Sequence, residues 1–419
     1  MSINTTLNTK KSHLGSFLLA LAVLSLAGFS LAFSIVGKDV QQAPMKYDGT
    51  YSLYVSLDDG MTFNWITNQE QIGVYSIVDD RGRVLAEGST DKARVHQYKL
   101  DKRPNREISL EFGGEDSGTE IVKIYPEFDR SNSAFRKVDS LFVVGDVHGS
   151  YDKLINLLQK SNVIGSDLKW IAGSSHLMFV GDLFDRGNDV TKVLWFIHGL
   201  QEQAEAMDGK VHLILGNHEI MTITNDLRYI GRKEKALSIA YGVGYDIMFH
   251  PRDSYLGSWL RHNPPVIKID DVIFAHGGII DLGTPLISEY NEQAFAYMSD
   301  DIFLEITKPN ADSTAYDAER WMRRKQMFYS DRSPFWYRGY AQSDTLENQL
   351  DDMLKKYKSK LHVVGHTPFE TITQRYNGKF ITTDLDEKAT ELLLLIRKGK
   401  KYRRYKIDSE GQMTELVSM

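Results

Sequence analysis

Between residues 47 and 125 polar and apolar positions alternate in short runs, at 51–57, 61–66, 72–78, 83–87, 106–112 and 120–125. A period of two puts successive side chains on opposite faces of a strand. Turn-forming clusters such as Asp79-Asp80-Arg81-Gly82 and residues 113–118 separate the runs. Six or seven short strands without a helical period predict a small antiparallel sandwich over residues 45–130.

Past a polar stretch at 129–134 the rhythm changes. Short apolar runs at 141–144, 177–180, 211–215, 272–274 and 361–364 alternate with helical spacing at 151–160, 190–206 and 344–358. That grammar predicts a mixed α/β domain from 138 to about 405. Residues 281–340 are aromatic and charged, helical in spacing at 317–328, and read either as an insert that shapes a pocket or as helical padding. At the start of the chain, Lys10 and Lys11 precede an uncharged stretch, 14–36, and the next charge is Lys38. Residues 1–37 are therefore expected to be an export signal, with cleavage after Ala27 or Ala32, or a membrane anchor.

Each apolar run of the second domain ends in polar chemistry. The five blocks are Gly145-Asp146-Val147-His148-Gly149, Gly181-Asp182-Leu183-Phe184-Asp185-Arg186-Gly187, Gly216-Asn217-His218-Glu219, Ala275-His276-Gly277-Gly278 and Gly365-His366-Thr367-Pro368. A site for two cations needs hard oxygen ligands, imidazoles, a carboxylate able to bridge, and glycines that let backbone pass close by. These blocks supply all four. Loops at the carboxyl ends of neighbouring strands are also where distant segments converge.

Composition narrows the choice. The net charge of -6 leaves no basic excess to hold a phosphate backbone, so no nucleic-acid partner is expected. There is no cysteine, which removes disulfides, thiolate metal sites and thiol nucleophiles.

On those five blocks, residues 138–405 resemble the calcineurin-like metallophosphoesterase superfamily, within it the phosphoprotein phosphatases. The block Ser333-Pro334-Phe335-Trp336-Tyr337-Arg338-Gly339-Tyr340 is similar to one in the Shewanella-like phosphatases. The resemblance implies a β-sandwich core flanked by helices (α/β/β/α), here preceded by an all-β domain similar to immunoglobulin or fibronectin modules. The expected export segment fits the Shewanella-like group and gives a periplasmic enzyme, soluble after signal cleavage or tethered through residues 14–36.

Carried over position by position, Asp146 and His148 would bind a first ion, Asn217, His276 and His366 a second, and Asp182 would bridge them. The ions would be manganese, iron or zinc, and a hydroxide bridging them would attack phosphorus in line with the leaving group. His218 would be the general acid, with Asp185 holding its imidazole, and Arg186 and Arg338 would grip phosphate oxygens. Glu219 reads as a supporting or helix-start residue. The other histidines, at 13, 96, 176, 198, 212, 250, 262 and 362, are assigned to packing.

The implied substrate is a phosphorylated protein, on tyrosine or on serine and threonine, or a small phosphomonoester. Where eukaryotic members carry a tyrosine-bearing segment after the last histidine, residues 380–386 read Phe-Ile-Thr-Thr-Asp-Leu-Asp, so their way of handling phosphoserine is not carried over. Two alternatives stand beside this reading: hydrolysis of dinucleoside polyphosphates or cyclic nucleotides, and a non-catalytic envelope binding module.

Overall fold

The alternating segments pair into one five-stranded antiparallel sheet: β1 (Tyr54–Ser56), β2 (Met61–Asp79), β3 (Val84–Leu100), β4 (Ile108–Gly114) and β5 (Gly118–Ile124). Its order is β1-β2-β4-β5, with β3 also on β2. Every second residue of β4 is buried, as its alternation requires. The computed structural model describes residues 52–130, 132–299, 318–399 and 401–416; the expected signal or anchor at 14–36 lies outside them. Among the described residues no helix is long and apolar enough to cross a membrane.

Two details differ from the pattern-based expectation. The runs at 61–66 and 72–78 belong to one strand, because the polar residues between them shift register against β3 between Ile66 and Gln71 instead of turning. The charged stretch that completes β3 has no clean alternation, since it forms an edge on which most side chains, His96 apart, are exposed or half-exposed. The result is a single sheet where two facing sheets were expected.

That sheet is seated on the α/β body. Leu57 N donates to Asp253 O at 2.7 Å, Trp195 Nε1 donates to Leu53 O at 2.8 Å, and Tyr125 N donates to the Tyr255 hydroxyl at 2.9 Å. Inside it Trp65, 1% exposed, donates from Nε1 to Gly113 O and packs against Phe112 and the His96 ring.

The remaining strands are β6 (Ala134–Phe135), β7 (Ser140–Val144), β8 (His176–Phe179), β9 (Lys210–Leu213), β10 (Val266–Ile269), β11 (Val272–Ala275), β12 (Leu361–Val364), β13 (Thr373–Arg375), β14 (Phe380–Thr382), β15 (Glu391–Lys398), β16 (Lys401–Asp408) and β17 (Met413–Glu415). They form two six-stranded sheets, ordered β17-β16-β15-β7-β8-β9 and β13-β14-β12-β11-β10-β6. Pairings β7·β8 and β8·β9 in one sheet, and β11·β12 and β12·β14 in the other, are parallel, so their carboxyl ends point the same way within each sheet. Between the sheets lies one apolar layer that includes Leu141, Val143, Met178, Phe274, Val363, Ile381, Leu393 and Leu395. This is the expected β-sandwich core.

Helices cover the outside. Helix α1 (Tyr151–Lys160) buries Tyr151, Leu154, Leu157 and Leu158, a stripe at helical spacing. Helix α2 (Val190–Glu205) is buried along most of its length, and the short α3 (Asn217–Ile223) is buried throughout. Residues 287–298 and 318–329 are helical within the segment read as an insert, whose residues 300–317 lie outside the described residues.

Candidate metal centre

All five sequence blocks meet where the parallel strands end. Asp146 and His148 follow β7, Asp182 and Asp185 follow β8, Asn217 and His218 open α3 after β9, His276 follows β11 and His366 follows β12. The chain turns sharply at each. His148, Asp182, Asp185, Arg186 and His366 all take positive φ, between 46° and 68°. Non-glycine residues in that region are strained, and such strain concentrates where surrounding structure holds a functional geometry.

Glycine clears the way at the closest approaches: a Cβ on Gly216 would collide with Asp182 Oδ1, and one on Gly365 with Asp146 Oδ1.

Two of the imidazoles share one arrangement. His148 Nδ1 donates to Phe184 O at 2.6 Å, and His276 Nδ1 donates to Val180 O at 2.7 Å. Each ring is thereby fixed with Nε2 turned inward, the orientation a ligand histidine needs. His366 is held by Nε2, which donates to Trp336 O at 3.1 Å.

Oxygen Oδ2 of Asp182 is the hub: His276 Nε2 lies 3.1 Å away, and His148 Nε2 and His218 Nε2 each lie 3.8 Å away. Asp146 Oδ2 is also 3.8 Å from His148 Nε2, and Asn217 Oδ1 is 3.0 Å from His276 Nε2. Two groups with ligand atoms close enough to hold a cation result, His148-Asp182-His218 and Asp182-His276-His366, and Asp182 belongs to both.

Whether this donor set suits a metal can be tested on one atom. His148 Nε2 is buried and has no hydrogen-bond partner among the described residues, although it faces two carboxylates. A neutral acceptor aimed at carboxylates is an unfavourable arrangement that a cation between them would satisfy. Burial drives the His148 pKa down to about 3, so the ring is neutral and able to ligate. Burial also raises the Asp146 carboxyl well above its usual range, with the Asp384 charge adding to the effect. Burial would raise Asp182 too, but His276 and His218 hold it well below that range. The residues fit.

His218 is turned differently. Its Nδ1 is 2.6 Å from Asp185 Oδ2, a bond to a carboxylate where His148, His276 and His366 bond backbone carbonyls. Burial lowers its pKa, but the Asp182 charge and the Asp185 bond outweigh that and raise it, favouring the protonated ring. Arg186 is exposed at the rim. Arg338 is half-buried and donates to His366 O and to Thr367 Oγ1, so part of its guanidinium is committed to the loop that carries His366.

The structure brings all ten expected site residues into one neighbourhood and adds Glu219. Fully buried, Glu219 accepts from the backbone N–H of Gly216 at 2.6 Å, Asp182 at 2.9 Å, Leu183 at 2.7 Å and Phe184 at 3.3 Å. It caps α3 and at the same time ties the Asp182 loop to that helix. The Gly216-x-x-Glu219 spacing signalled the cap, while the tie to residues 182–184 had no sequence signal. His362, assigned to packing, is satisfied at both nitrogens, donating from Nδ1 to Ile273 O and accepting at Nε2 from Ile279 N.

A carboxylate shared by two ligand groups, with a carboxylate-backed imidazole beside it, defines a metal-dependent phosphoesterase. Residues 140–370 match the calcineurin-like phosphoesterase family, and the chain belongs to that family. An uncharacterized protein of Schizosaccharomyces pombe is 26% identical over 272 residues, covering 63% of this chain and 78% of its own length. Shewanella-like protein phosphatase 1 of Plasmodium berghei is 28% identical over 290 residues, covering 66% of this chain and 75% of its own. Among solved structures, the cold-active protein-tyrosine phosphatase of a psychrophilic Shewanella species superposes with a TM-score of 0.67 at 27% identity, covering 89% of this chain and all of that one.

Proposed function

We propose that this enzyme hydrolyses phosphomonoesters on protein side chains, phosphotyrosine among them, using two ions drawn from manganese, iron and zinc. The observation that carries the reading is Asp182 Oδ2, which lies at the junction of both ligand groups. Likeness to Shewanella-like and protein-tyrosine phosphatases supports the substrate class. In this reading Asp146 and His148 hold one ion, Asn217, His276 and His366 the other, and Asp182 both. When bound, the ions supply Lewis-acid polarisation of the phosphoryl oxygens and a nucleophile at neutral pH.

The chain's own residues do the rest. Asp185 fixes the His218 ring through Nδ1, so the acidic proton sits on Nε2, facing the site, and passes to the leaving oxygen. The rim position of Arg186 leaves its planar donors free to pair with phosphate oxygens. Arg338 keeps the His366 loop in place through Nη1, with Nη2 3.4 Å from His366 Nδ1, and brings its positive charge to the same anion. Residues 14–36 direct export to the periplasm, as a cleaved signal or as an anchor.

Purified protein supplied with manganese should release phosphate from p-nitrophenyl phosphate and from phosphotyrosine peptides. If both remain intact under conditions where the protein is folded and metal-loaded, the reading is wrong. Fractionation of the source cells should place the protein outside the cytoplasm.

A further inference from the structure

Asp384 is a buried carboxylate at this centre that the ligand set leaves unused. It follows β14 as Asp146 follows β7, in each case an apolar strand, one small residue, then aspartate. The backbone there is fixed on two sides. Phe369 N donates to Asp384 O at 3.1 Å and Thr383 N donates to Val364 O at 2.8 Å. The loop of Asp146 rests directly against this segment, since a Cβ on Gly145 would overlap Thr383 O and come within 3.0 Å of Asp384 N.

The Asp384 side chain is 2% exposed and bonds to Lys388 Nζ, whose own side chain is 12% exposed. An ion pair this sheltered is not the ordinary solvated surface pair. The pair stands against the Asp146 loop, since a Cβ on Gly145 would meet Thr383 O and Asp384 N, so its two charges lie close to any cation held by Asp146.

We propose that Asp384 and Lys388 are a positioning pair that sets the cation affinity of the site formed by Asp146 and His148: the carboxylate strengthens binding there and the ammonium tempers it. The proposal rests on the ligand assignment above. It deepens that assignment by naming two residues, outside the expected set, that act on the ion through Asp146.

The test is manganese binding to the chelator-stripped full chain, by calorimetric titration and by metal content after desalting, with circular dichroism to establish folding. Asp384→Asn should weaken binding and Lys388→Met should tighten it, each by about tenfold, the scale of one buried charge at this range. Lys388→Arg should bind as the parent does. Because Lys388→Met leaves a buried carboxylate unpaired and risks the fold, the double variant Asp384→Asn/Lys388→Met provides a second measure. It should bind more tightly than Asp384→Asn alone.

A pair that only braces the loop would weaken binding in both single variants, or shift neither, and either result overturns the proposal. Asp182→Asn serves as the control. If it binds manganese like the parent, the ligand assignment itself fails. If it loses manganese while the pair variants move together, only the role of the pair fails.

Discussion

Replacing Asp185 by asparagine separates proton delivery from every other contribution to turnover. The substitution keeps the shape of the side chain and removes the charge opposite His218 Nδ1, across a 2.6 Å bond in a site where both partners are buried. Such a charge-assisted bond contributes roughly 1.5–3 kcal/mol. Since each ~1.4 kcal/mol is tenfold in rate, kcat should fall about 10- to 150-fold when the leaving oxygen needs the proton. A phosphoserine peptide has such a leaving group, a basic alkoxide. Nitrophenolate is a much weaker base and leaves without assistance, so kcat for p-nitrophenyl phosphate should fall by less than about threefold. The assay is steady-state phosphate release on both substrates by the same preparation, with metal content measured alongside. Equal losses on the two substrates would refute His218 as the acid and reduce Asp185 to a structural role.

Other consequences are as direct. Glu219→Gln puts an amide NH2 against backbone N–H donors now shared by two carboxylate oxygens. It should lower unfolding free energy by about 3–6 kcal/mol and reduce metal content, read by guanidinium titration and elemental analysis; a loss under about 1 kcal/mol would contradict the bracing role. Glu234, buried and bonded by Thr191 N, Thr191 Oγ1 and the Tyr245 hydroxyl, is raised by burial to about 7. A carboxyl raised on folding favours the native state while protonated, so its contribution is fullest below its unfolded pKa near 4.5 and is lost as pH rises through 7. Relative to Glu234→Gln, the parent should lose at most ~3 kcal/mol between those limits, and parallel stability curves would disprove this. Chelation should abolish turnover and lower the thermal midpoint, with manganese, iron or zinc restoring both, because an ion bound at a hundredfold its Kd adds ~2.7 kcal/mol; an unchanged midpoint would argue against a buried, folded-state site.

Much of the candidate centre was readable from the chain because its residues obey a local rule. A short apolar strand ends and a glycine-flanked Asp, Asn or His follows, which marked the five blocks as candidates, while the roles expected of Asp146, His148, Asp182, Asn217, His276 and His366 came from the family resemblance those blocks carry. Strand alternation likewise revealed β4, and helical spacing revealed α1 within its observed bounds. What escaped that reading depends on partners distant along the chain. Residues 67–71 look like a turn until β3 is beside them, when a bulge carries the strand through. The carboxylate of Glu219 reaches 37 residues back to Asp182 N, and Asp384 lies against Gly145 because the loops after β14 and β7, in different sheets, pack together. Residue types and spacing express what each segment tends to do in isolation. Distances, burial and the sign of each charge's effect on its neighbour arise only when two sheets close on one apolar layer and bring those segments together.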